Sequence, residues 1–154
     1  MDLGCGPGDY ALAAATIVGA SGRVYAVDIW RSMVERLRIE ARRRGMTHLH
    51  GMVADITTTL PFRDAAMDVC LIATVLHIPK VTSKMAAIGS EVRRVLRPDG
   101  RLAIIECKKE EAAFGPPLDL RLASKEIQRS MAAAGFRAAG VVDLGPNYLI
   151  QFVV

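Results

Sequence analysis

The sequence predicts an α/β fold in which a doubly wound, mainly parallel sheet ends in an antiparallel hairpin. Segments with strand and helix patterns alternate along the 154 residues, as expected for parallel strands joined by crossover helices. A glycine-rich turn follows the first short strand segment. Close to the carboxyl end, two strand-like segments are separated by a short Gly-Pro-Asn turn, which leaves no room for a crossover helix. We therefore expect one domain over residues 1–154.

The first half of the chain contains a glycine loop, a helix pattern and two further strand patterns. The segment Arg23–Asp28 is rich in β-branched and aromatic residues, and Leu49–Val53 is a second short strand candidate. Between them, apolar residues recur at helical spacing over Trp30–Arg44, and Gly45 is placed to end that helix. These patterns predict a strand–helix–strand unit after the glycine loop.

The second half continues the alternation and then departs from it. An almost wholly apolar segment predicts a strand covered on both faces, and Pro98-Asp99-Gly100 predicts a turn after the following helix. Ser124 is the expected N-cap of the last helix, with Gly135 at its end. The predicted elements are strand Met67–Ala73, helix Thr82–Leu96, strand Arg101–Glu106, helix Ser124–Ala134, and the hairpin strands Val141–Leu144 and Tyr148–Val154.

The glycine loop predicts a nucleotide-type cofactor site. A dinucleotide site with the spacing G-x-G-x-x-G would need a glycine at position 9, where Asp9 stands, and the third glycine comes one residue early at Gly8. Asp28 ends the next strand about twenty residues later, where a carboxylate can accept both hydroxyls of a ribose. Both cofactor classes use such an acid, so Asp28 indicates an adenosine ligand without choosing between them.

Composition excludes several classes of protein. No apolar run approaches the ~18 residues that a membrane-spanning helix needs. The 3 cysteines are widely spaced, without a C-x-x-C pair, which favours a reducing, cytoplasmic location over a disulfide scaffold. The net charge of +4 comes largely from arginines between positions 31 and 44. We interpret these as a solvated helix face; the alternative, attraction to RNA or an anionic lipid surface, has no aromatic interleaving to support it.

Taken together, the motifs resemble a known family. The chain is similar to class I S-adenosylmethionine-dependent methyltransferases, in the group of ubiquinone and menaquinone biosynthesis enzymes, and the resemblance covers essentially its whole length. The resemblance implies a Rossmann-like sheet whose last strand is antiparallel. The motifs that carry it are Asp2–Gly8, Val27–Asp28, Ala54–Ile56, Leu60–Phe62, Met67–Val69, Val75–His77 and Arg94–Leu102.

The resemblance implies S-adenosyl-L-methionine as cofactor and S-adenosyl-L-homocysteine as product. Asp2 would hold the methionine amino group, Asp28 the ribose hydroxyls, and Asp55 the adenine amino group. Two of these acids have plainer interpretations: Asp28 as a helix cap and Asp55 as an ordinary turn residue. The implied cofactor-binding residues are Asp2, Gly4, Cys5, Gly6, Gly8, Asp28, Ile29, Trp30, Asp55, Ile56, Ala73 and Thr74.

The remaining roles in that set are backbone and packing roles. Backbone groups of Gly4, Cys5 and Gly6 would line the methionine and ribose portions, and those of 73–74 would face the methionine end. Ile29 and Ile56 would pack on the adenine. For the Trp30 side chain, adenine contact and surface packing are both open interpretations. In the predicted sheet these residues lie at the carboxyl ends of strands, where folds of this kind bind their ligands.

The chemistry needs few protein groups. Methyl transfer is an in-line displacement, so the protein chiefly aligns the reactants, and a general base is needed only where the acceptor must lose a proton. His77 is the first candidate for that base and Glu106 the second; for His77, pocket shaping is the alternative. His48 and His50 alternate on one face but lack a third ligand, so we expect no metal site.

Family members usually carry an N-terminal helical segment before the first strand, and here the glycine loop begins near residue 4. Three explanations stay open: Met1 is internal to a longer natural chain, which we favour; a second copy fills the gap in a homo-oligomer; or the chain is a non-catalytic relative. The leading function is methyl transfer to a small-molecule acceptor, without nucleic-acid or membrane partners. The alternatives are a cofactor-binding protein with little or no catalysis and, more distantly, an NAD-type oxidoreductase.

Overall fold

The computed structural model describes residues 1–154, and the chain divides into two compact units. The N-terminal unit is Met1–Pro61 and the C-terminal unit is Phe62–Val154. Strands and helices alternate in both units, so the predicted α/β class is confirmed. None of the helices combines the length and the apolar character needed to cross a bilayer.

The N-terminal unit is a strand–helix repeat with parallel pairing. Strand β2 lies between the other two strands, with Asp2 opposite Ala26 on one side and Val24 opposite Leu49 on the other. The predicted strand at Leu49–Val53 is confirmed at both ends. The elements are β1 (Asp2–Leu3), α1 (Asp9–Val18), β2 (Val24–Asp28), α2 (Arg31–Arg43) and β3 (Leu49–Val53).

Helix α2 packs through one narrow apolar stripe. Val34, Leu37 and Ala41 recur every three or four residues and are at most 4% exposed. The helix approaches β3 closely at Gly51, where an added Cβ would lie 3.1 Å from Cγ1 of Val34. The Arg38 guanidinium then donates to the Gly51 carbonyl oxygen through Nε and Nη2 at 3.0 and 2.8 Å. A glycine in the strand thus lets the helix lie flat against it.

The arginine-rich side of α2 faces outward, as predicted. Glu35 pairs with Arg38 at 2.6 Å, and Glu40 accepts hydrogen bonds from Arg43 and Arg44 at 2.6–2.8 Å. These two arginines lower the pKa of Glu40 to about 2. Part of the positive charge is therefore neutralised within the helix itself, at the i,i+3 and i,i+4 spacings that bring side chains together.

The C-terminal unit combines one parallel pair with an antiparallel hairpin. Strand β4 pairs in parallel with β5, and β7 lies antiparallel between β5 and β6, so the predicted hairpin is confirmed. Its core includes Ile72, Ile104 and Ile150, all fully buried. The elements are β4 (Met67–Ala73), α3 (Pro79–Thr82), α4 (Met85–Val95), β5 (Leu96–Cys107), a 3₁₀ turn (Leu118–Leu120), α5 (Ser124–Ala133), β6 (Arg137–Leu144) and β7 (Asn147–Val153).

The predicted turn at Pro98-Asp99-Gly100 is wrong, because β5 begins at Leu96 and includes these residues. The pairing shows why the pattern misled: β4 advances from Met67 to Val69 while its partner on β5 advances from Leu96 to Arg101. The extra residues form an irregularity within the strand, as in a β-bulge. The turn-forming residues therefore bend a strand and do not separate two elements.

Two predicted helix starts are also wrong. Ser124 is the first helical residue, and Ala123 precedes it as the cap, with its N–H donating to the Glu126 carboxylate at 2.6 Å. The single helix predicted from Thr82 is two helices, because Pro79 starts a short helix that ends before a second begins at Met85. A proline fits the first turn of a helix, where its missing N–H costs no hydrogen bond.

Arg121 organises the segment that follows β5. Its side chain is almost fully buried, with the whole residue 4% exposed. The guanidinium donates to four backbone carbonyls at 2.6–3.1 Å, those of Lys108, Glu110, Phe114 and Pro116. A buried cation is tolerated only when its N–H donors have acceptors. Here the backbone carbonyls of one loop are those acceptors.

Replacing this side chain should loosen that loop. We expect Arg121→Met to lower the free energy of unfolding by about 3 kcal/mol, since the carbonyls lose charge-assisted hydrogen bonds. The matched control is Arg129→Met, because Arg129 is an exposed arginine on α5 that makes one long bond within its own helix. Urea unfolding measures the difference, and limited proteolysis should cut R121M within residues 109–117. Equal stability and equal protease resistance of the two variants would contradict this role.

Candidate functional site

The predicted glycine loop wraps over the end of β2. Gly4, Gly6 and Gly8 all have positive φ, at 75°, 50° and 95°. The N–H groups of Gly4 and Cys5 both donate to the Val27 carbonyl, at 2.7 and 3.0 Å. Such a path of alternating left-handed residues is open to glycine and strained for most other residues.

Two of these glycines meet different surroundings. At Gly8, an added Cβ would lie 2.4 Å from Cδ1 of Leu37, so helix α2 packs directly against this backbone. At Gly6, an added Cβ would have no heavy atom within 4 Å. Gly8 is therefore required by packing and by its φ angle, whereas Gly6 leaves free space beside the loop. A ligand can approach the backbone there.

Asp28 ties the loop to the next helix. It is 7% exposed at the end of β2, and its two carboxylate oxygens accept from different segments. The Gly6 N–H donates to Oδ2 and the Trp30 N–H donates to Oδ1, each at 2.8 Å. Asp28 therefore bonds both the glycine loop and Trp30, the residue that precedes α2, but it does not cap that helix. Each carboxylate oxygen keeps capacity for a further donor, such as a ribose hydroxyl.

Asp2 is buried with half of its carboxylate unsatisfied. The residue is 3% exposed at the start of β1. Atom Oδ2 is buried and has no hydrogen-bond partner. Burial raises the pKa of Asp2 to about 6, with a contribution from Asp28 and an opposing one from the amino terminus. An unsatisfied buried carboxylate oxygen is costly, so this position favours a cationic ligand group.

The other predicted residues of the N-terminal unit differ in exposure. Ile29 and Trp30 are 51% and 69% exposed, and Ile56 is buried. Burial raises the pKa of the Cys5 thiol to about 12, so the thiol stays protonated and is not a nucleophile. Cys5 is thus placed to contribute its backbone.

Asp55 makes the turn contacts of its plainer interpretation. Its Oδ1 accepts from the N–H and from the hydroxyl of Thr57, at 2.9 and 2.7 Å. Thr57 was not among the predicted site residues, although an aspartate two residues before a threonine is a typical side-chain turn pattern. Its hydrogen bonds orient the Asp55 carboxylate.

The C-terminal unit joins the two candidate bases into one pair. Nδ1 of His77 lies 3.0 Å from Oε2 of Glu106, at the end of β5. Before this pair, the chain turns sharply after Ala73, with Thr74 at φ 52° and its N–H donating to the Ile105 carbonyl at 2.8 Å. The sequence prediction treated His77 and Glu106 as alternatives, and the structure makes them partners.

The two histidines weighed as metal ligands point to separate contacts. His48 donates from Nε2 to the Ala15 carbonyl at 2.9 Å, and the His50 ring packs against Tyr25 with ring centroids 5.4 Å apart. No group of three His, Cys, Asp or Glu side chains is arranged to hold a metal ion. The three cysteines are buried and free.

Comparison with known proteins identifies the family. Residues 1–140 match the family described as methyltransferase domain. The chain is 37% identical over 111 residues to the ubiquinone/menaquinone biosynthesis C-methyltransferase UbiE of Shewanella pealeana, a match that covers 72% of this chain. The chain belongs to the class I S-adenosylmethionine-dependent methyltransferases. The chain spans 43% of the length of that UbiE relative.

Solved structures support the same methyltransferase fold. A SAM-dependent methyltransferase from Aquifex aeolicus has a TM-score of 0.90 at 28% identity, covering 99% of this chain and 80% of its own. The [4+2]-cyclase SpnF has a TM-score of 0.78 at 27% identity, covering 93% of this chain and 52% of its own. The fold thus also occurs in a protein named for a different reaction.

The residues of the N-terminal unit fit the cofactor of this family, S-adenosyl-L-methionine. The cofactor carries an ammonium group, for which Asp2 holds a buried carboxylate oxygen without a partner. It carries a ribose, for which Asp28 has acceptor capacity left. The space beside Gly6 admits a ligand next to the loop backbone.

Asp2 should cost the ligand-free protein stability. Its folded pKa of about 6 lies above the ordinary 3.8, so the folded state binds more protons between these values and stability falls as pH rises through that window. We expect Asp2→Asn to be more stable than wild type above pH 6 by about 1–3 kcal/mol. The difference should vanish below pH 4, where the carboxyl is protonated in both states.

Urea unfolding at both ends of that pH range measures this effect, with Asp9→Asn as the control because Asp9 is exposed in the first turn of α1. The same D2N variant should bind S-adenosylhomocysteine 10–100-fold more weakly, since about 1.5–3 kcal/mol of a charged hydrogen bond is lost. A D2N protein that is neither stabilised nor impaired in binding would refute the assignment.

Proposed function

We propose that this chain binds S-adenosyl-L-methionine and transfers its methyl group to a small-molecule acceptor. The observation that carries the proposal is the buried, unpartnered Oδ2 of Asp2 beside a glycine loop. The family membership of the chain and its likeness to the Aquifex aeolicus methyltransferase support it. The name of the UbiE relative, a C-methyltransferase of quinone biosynthesis, is compatible with a small organic acceptor.

In this proposal each part of the cofactor has a protein partner. Asp2 accepts from the methionine ammonium and Asp28 from the ribose hydroxyls. Gly4, Cys5 and Gly6 supply backbone contacts, and Gly8 allows the loop to pack directly against Leu37. Ile29, Trp30, Asp55 and Ile56 enclose the adenine, and the backbone of Ala73 and Thr74 faces the methionine end.

The chain's contribution to the reaction is mainly alignment. The bound cofactor supplies an electrophilic methyl group, so a correctly placed acceptor needs no metal ion. Holding acceptor and methyl group in line removes much of the entropic barrier to a two-substrate step. The residues that choose the acceptor lie in variable loops of such folds, which carry specificity more than the scaffold does.

A second candidate is cofactor binding without methyl transfer. SpnF, which shares the fold at 27% identity, is named as a cyclase, so the fold does not require methyl transfer. An NAD-type oxidoreductase is the remaining alternative. Asp9 stands where the third glycine of a dinucleotide loop would be, which argues against it.

Calorimetric titration separates these classes. We expect S-adenosylhomocysteine to bind and NADH not to bind. Asp28→Asn should weaken S-adenosylhomocysteine binding at least 10-fold, because the amide can accept from only one of the Gly6 and Trp30 N–H groups and meets the other as a second donor. The control is Asp99→Asn, at an exposed aspartate. Binding of NADH alone would overturn the proposal.

Turnover is tested separately. Incubation with methyl-labelled S-adenosylmethionine and a panel of phenols, amines, thiols and carboxylates should give a labelled product from at least one compound. Binding of S-adenosylhomocysteine with no labelled product from any class would favour the second candidate.

A further inference from the structure

Glu106 is a buried carboxylate whose hydrogen bonds all point to one turn. The residue is 1% exposed at the end of β5. Its Oε1 accepts from the Leu76 N–H at 2.7 Å and the His77 N–H at 3.4 Å, and Oε2 faces Nδ1 of His77 at 3.0 Å. A buried carboxylate without such donors would be strongly destabilising. The contacts hold both the backbone and the ring of His77.

The pair determines which nitrogen of His77 carries the hydrogen. Imidazole is a stronger base than a carboxylate, so the shared hydrogen resides on Nδ1 and is donated to Glu106. In the neutral ring, Nε2 then carries the lone pair. The side chain of His77 is 16% exposed, and no protein group bonds Nε2. The ring therefore presents a proton acceptor on its open edge.

The turn that carries the ring is itself held in place. The Thr82 hydroxyl donates to the Leu76 carbonyl, and the Ile78 N–H donates to the Val75 carbonyl at 3.1 Å. With Glu106 bonded to the N–H groups of residues 76 and 77, the backbone on both sides of His77 is fixed. This is the arrangement of a positioned base, in which a carboxylate orients an imidazole.

We propose that Glu106 positions His77 as a general base, and that the methyl acceptor is therefore a protic nucleophile: a hydroxyl, an N–H amine or an acidic C–H. This inference rests on the proposed methyltransferase function and names its substrate class. It excludes thioethers and tertiary amines as natural acceptors, because they have no proton to lose. Glu106 is a positioning residue, and His77 is the catalytic residue.

The proposed step is balanced in atoms and electrons. The acceptor atom forms a bond to the methyl carbon, the carbon–sulfur bond breaks, and its electron pair stays on sulfur. The proton that the acceptor loses goes to Nε2 of His77. The resulting imidazolium is stabilised by the Glu106 carboxylate on Nδ1. Buffer takes the proton after product release.

Two conservative variants separate this role from simple packing. His77→Asn keeps a donor close to the Nδ1 position and removes the Nε2 base. Glu106→Gln keeps an acceptor for the Leu76 N–H but presents an amide N–H₂ to the ring, which favours the Nε2–H tautomer. With the protic acceptor found active in the panel, H77N should lower kcat about 10²–10⁴-fold, the usual contribution of a general base.

The pH profile and KM distinguish a base from a residue that only shapes the pocket. For wild type, kcat should depend on pH, and this dependence should be missing in H77N while KM changes little. In E106Q, kcat should fall at least 10-fold, with S-adenosylhomocysteine affinity unchanged. The control is His50→Asn, whose ring packs on Tyr25 and makes no part of the site.

Nitrogen NMR of the ¹⁵N-labelled full chain reads the tautomer without any acceptor. Wild-type His77 should be the Nδ1–H tautomer when neutral, and E106Q should shift it to Nε2–H; H77N and H50N assign the signals. An Nε2–H tautomer in wild type would overturn the inference, as would labelled product from dimethyl sulfide or trimethylamine at a rate matching the protic compounds. If the wild-type protein does not bind S-adenosylhomocysteine, the proposed function is refuted instead.

Discussion

A carboxylate can be buried only where hydrogen-bond donors or a cation meet it, and this requirement shapes the functional ends of the strands. Asp28 and Glu106 satisfy it with backbone N–H groups and, for Glu106, an imidazole. Asp28 at the end of β2 bonds the loop that follows β1, and Glu106 near the end of β5 bonds the turn that follows β4. Asp2 follows a different course, since one of its oxygens has no partner. The two satisfied acids shape loops, and the unsatisfied one favours a ligand.

This difference links stability to binding. Burial raises the pKa of Asp2 to about 6, so at neutral pH the ligand-free protein holds a charge that its surroundings stabilise poorly. A ligand that brings a cation to Oδ2 removes that penalty only in the folded state, and so adds stability by mass action. The protein is thus less stable without a ligand than its fold alone would allow. In the proposed function, Asp2 is the position at which the ligand is recognised, so stability is given up there.

Local patterns predicted the elements that depend on local chemistry. The strand Met67–Ala73 is confirmed at both ends, but it is not covered on both faces along its whole length, since Val69 is 48% exposed. The glycine turn is confirmed, because Gly4, Gly6 and Gly8 all have the positive φ angles that glycine adopts at no steric cost. The turn predicted at Pro98–Gly100 is wrong, because β-bulges and turns are formed by the same types of residue. The N-cap predicted at Ser124 is wrong, because the Glu126 carboxylate accepts a hydrogen bond from the Ala123 N–H and makes Ala123 the cap.

The site was predicted as single residues, and pairings between distant residues could not be read from the sequence. His77 and Glu106 are 29 positions apart, and nothing in either segment indicates that their side chains meet. The same holds for Gly6 and Asp28, which are 22 positions apart. Such contacts depend on where strands end in three dimensions. They make hydrogen-bonded partners of two residues that the sequence offered as separate candidates for one role.

The turn after β4 shows how such a pairing is maintained. Thr74 has a positive φ of 52°, a conformation that costs a residue with a Cβ about 1–3 kcal/mol. Backbone strain of this size persists only where surrounding contacts outweigh it, and here the Thr74 N–H bonds Ile105 while Glu106 bonds the next N–H groups along the turn. The hydrogen bonds that stabilise this strained turn also hold His77 in a fixed position. A base held in this way loses little entropy when the acceptor binds, which is the condition under which one imidazole contributes its full effect to a rate.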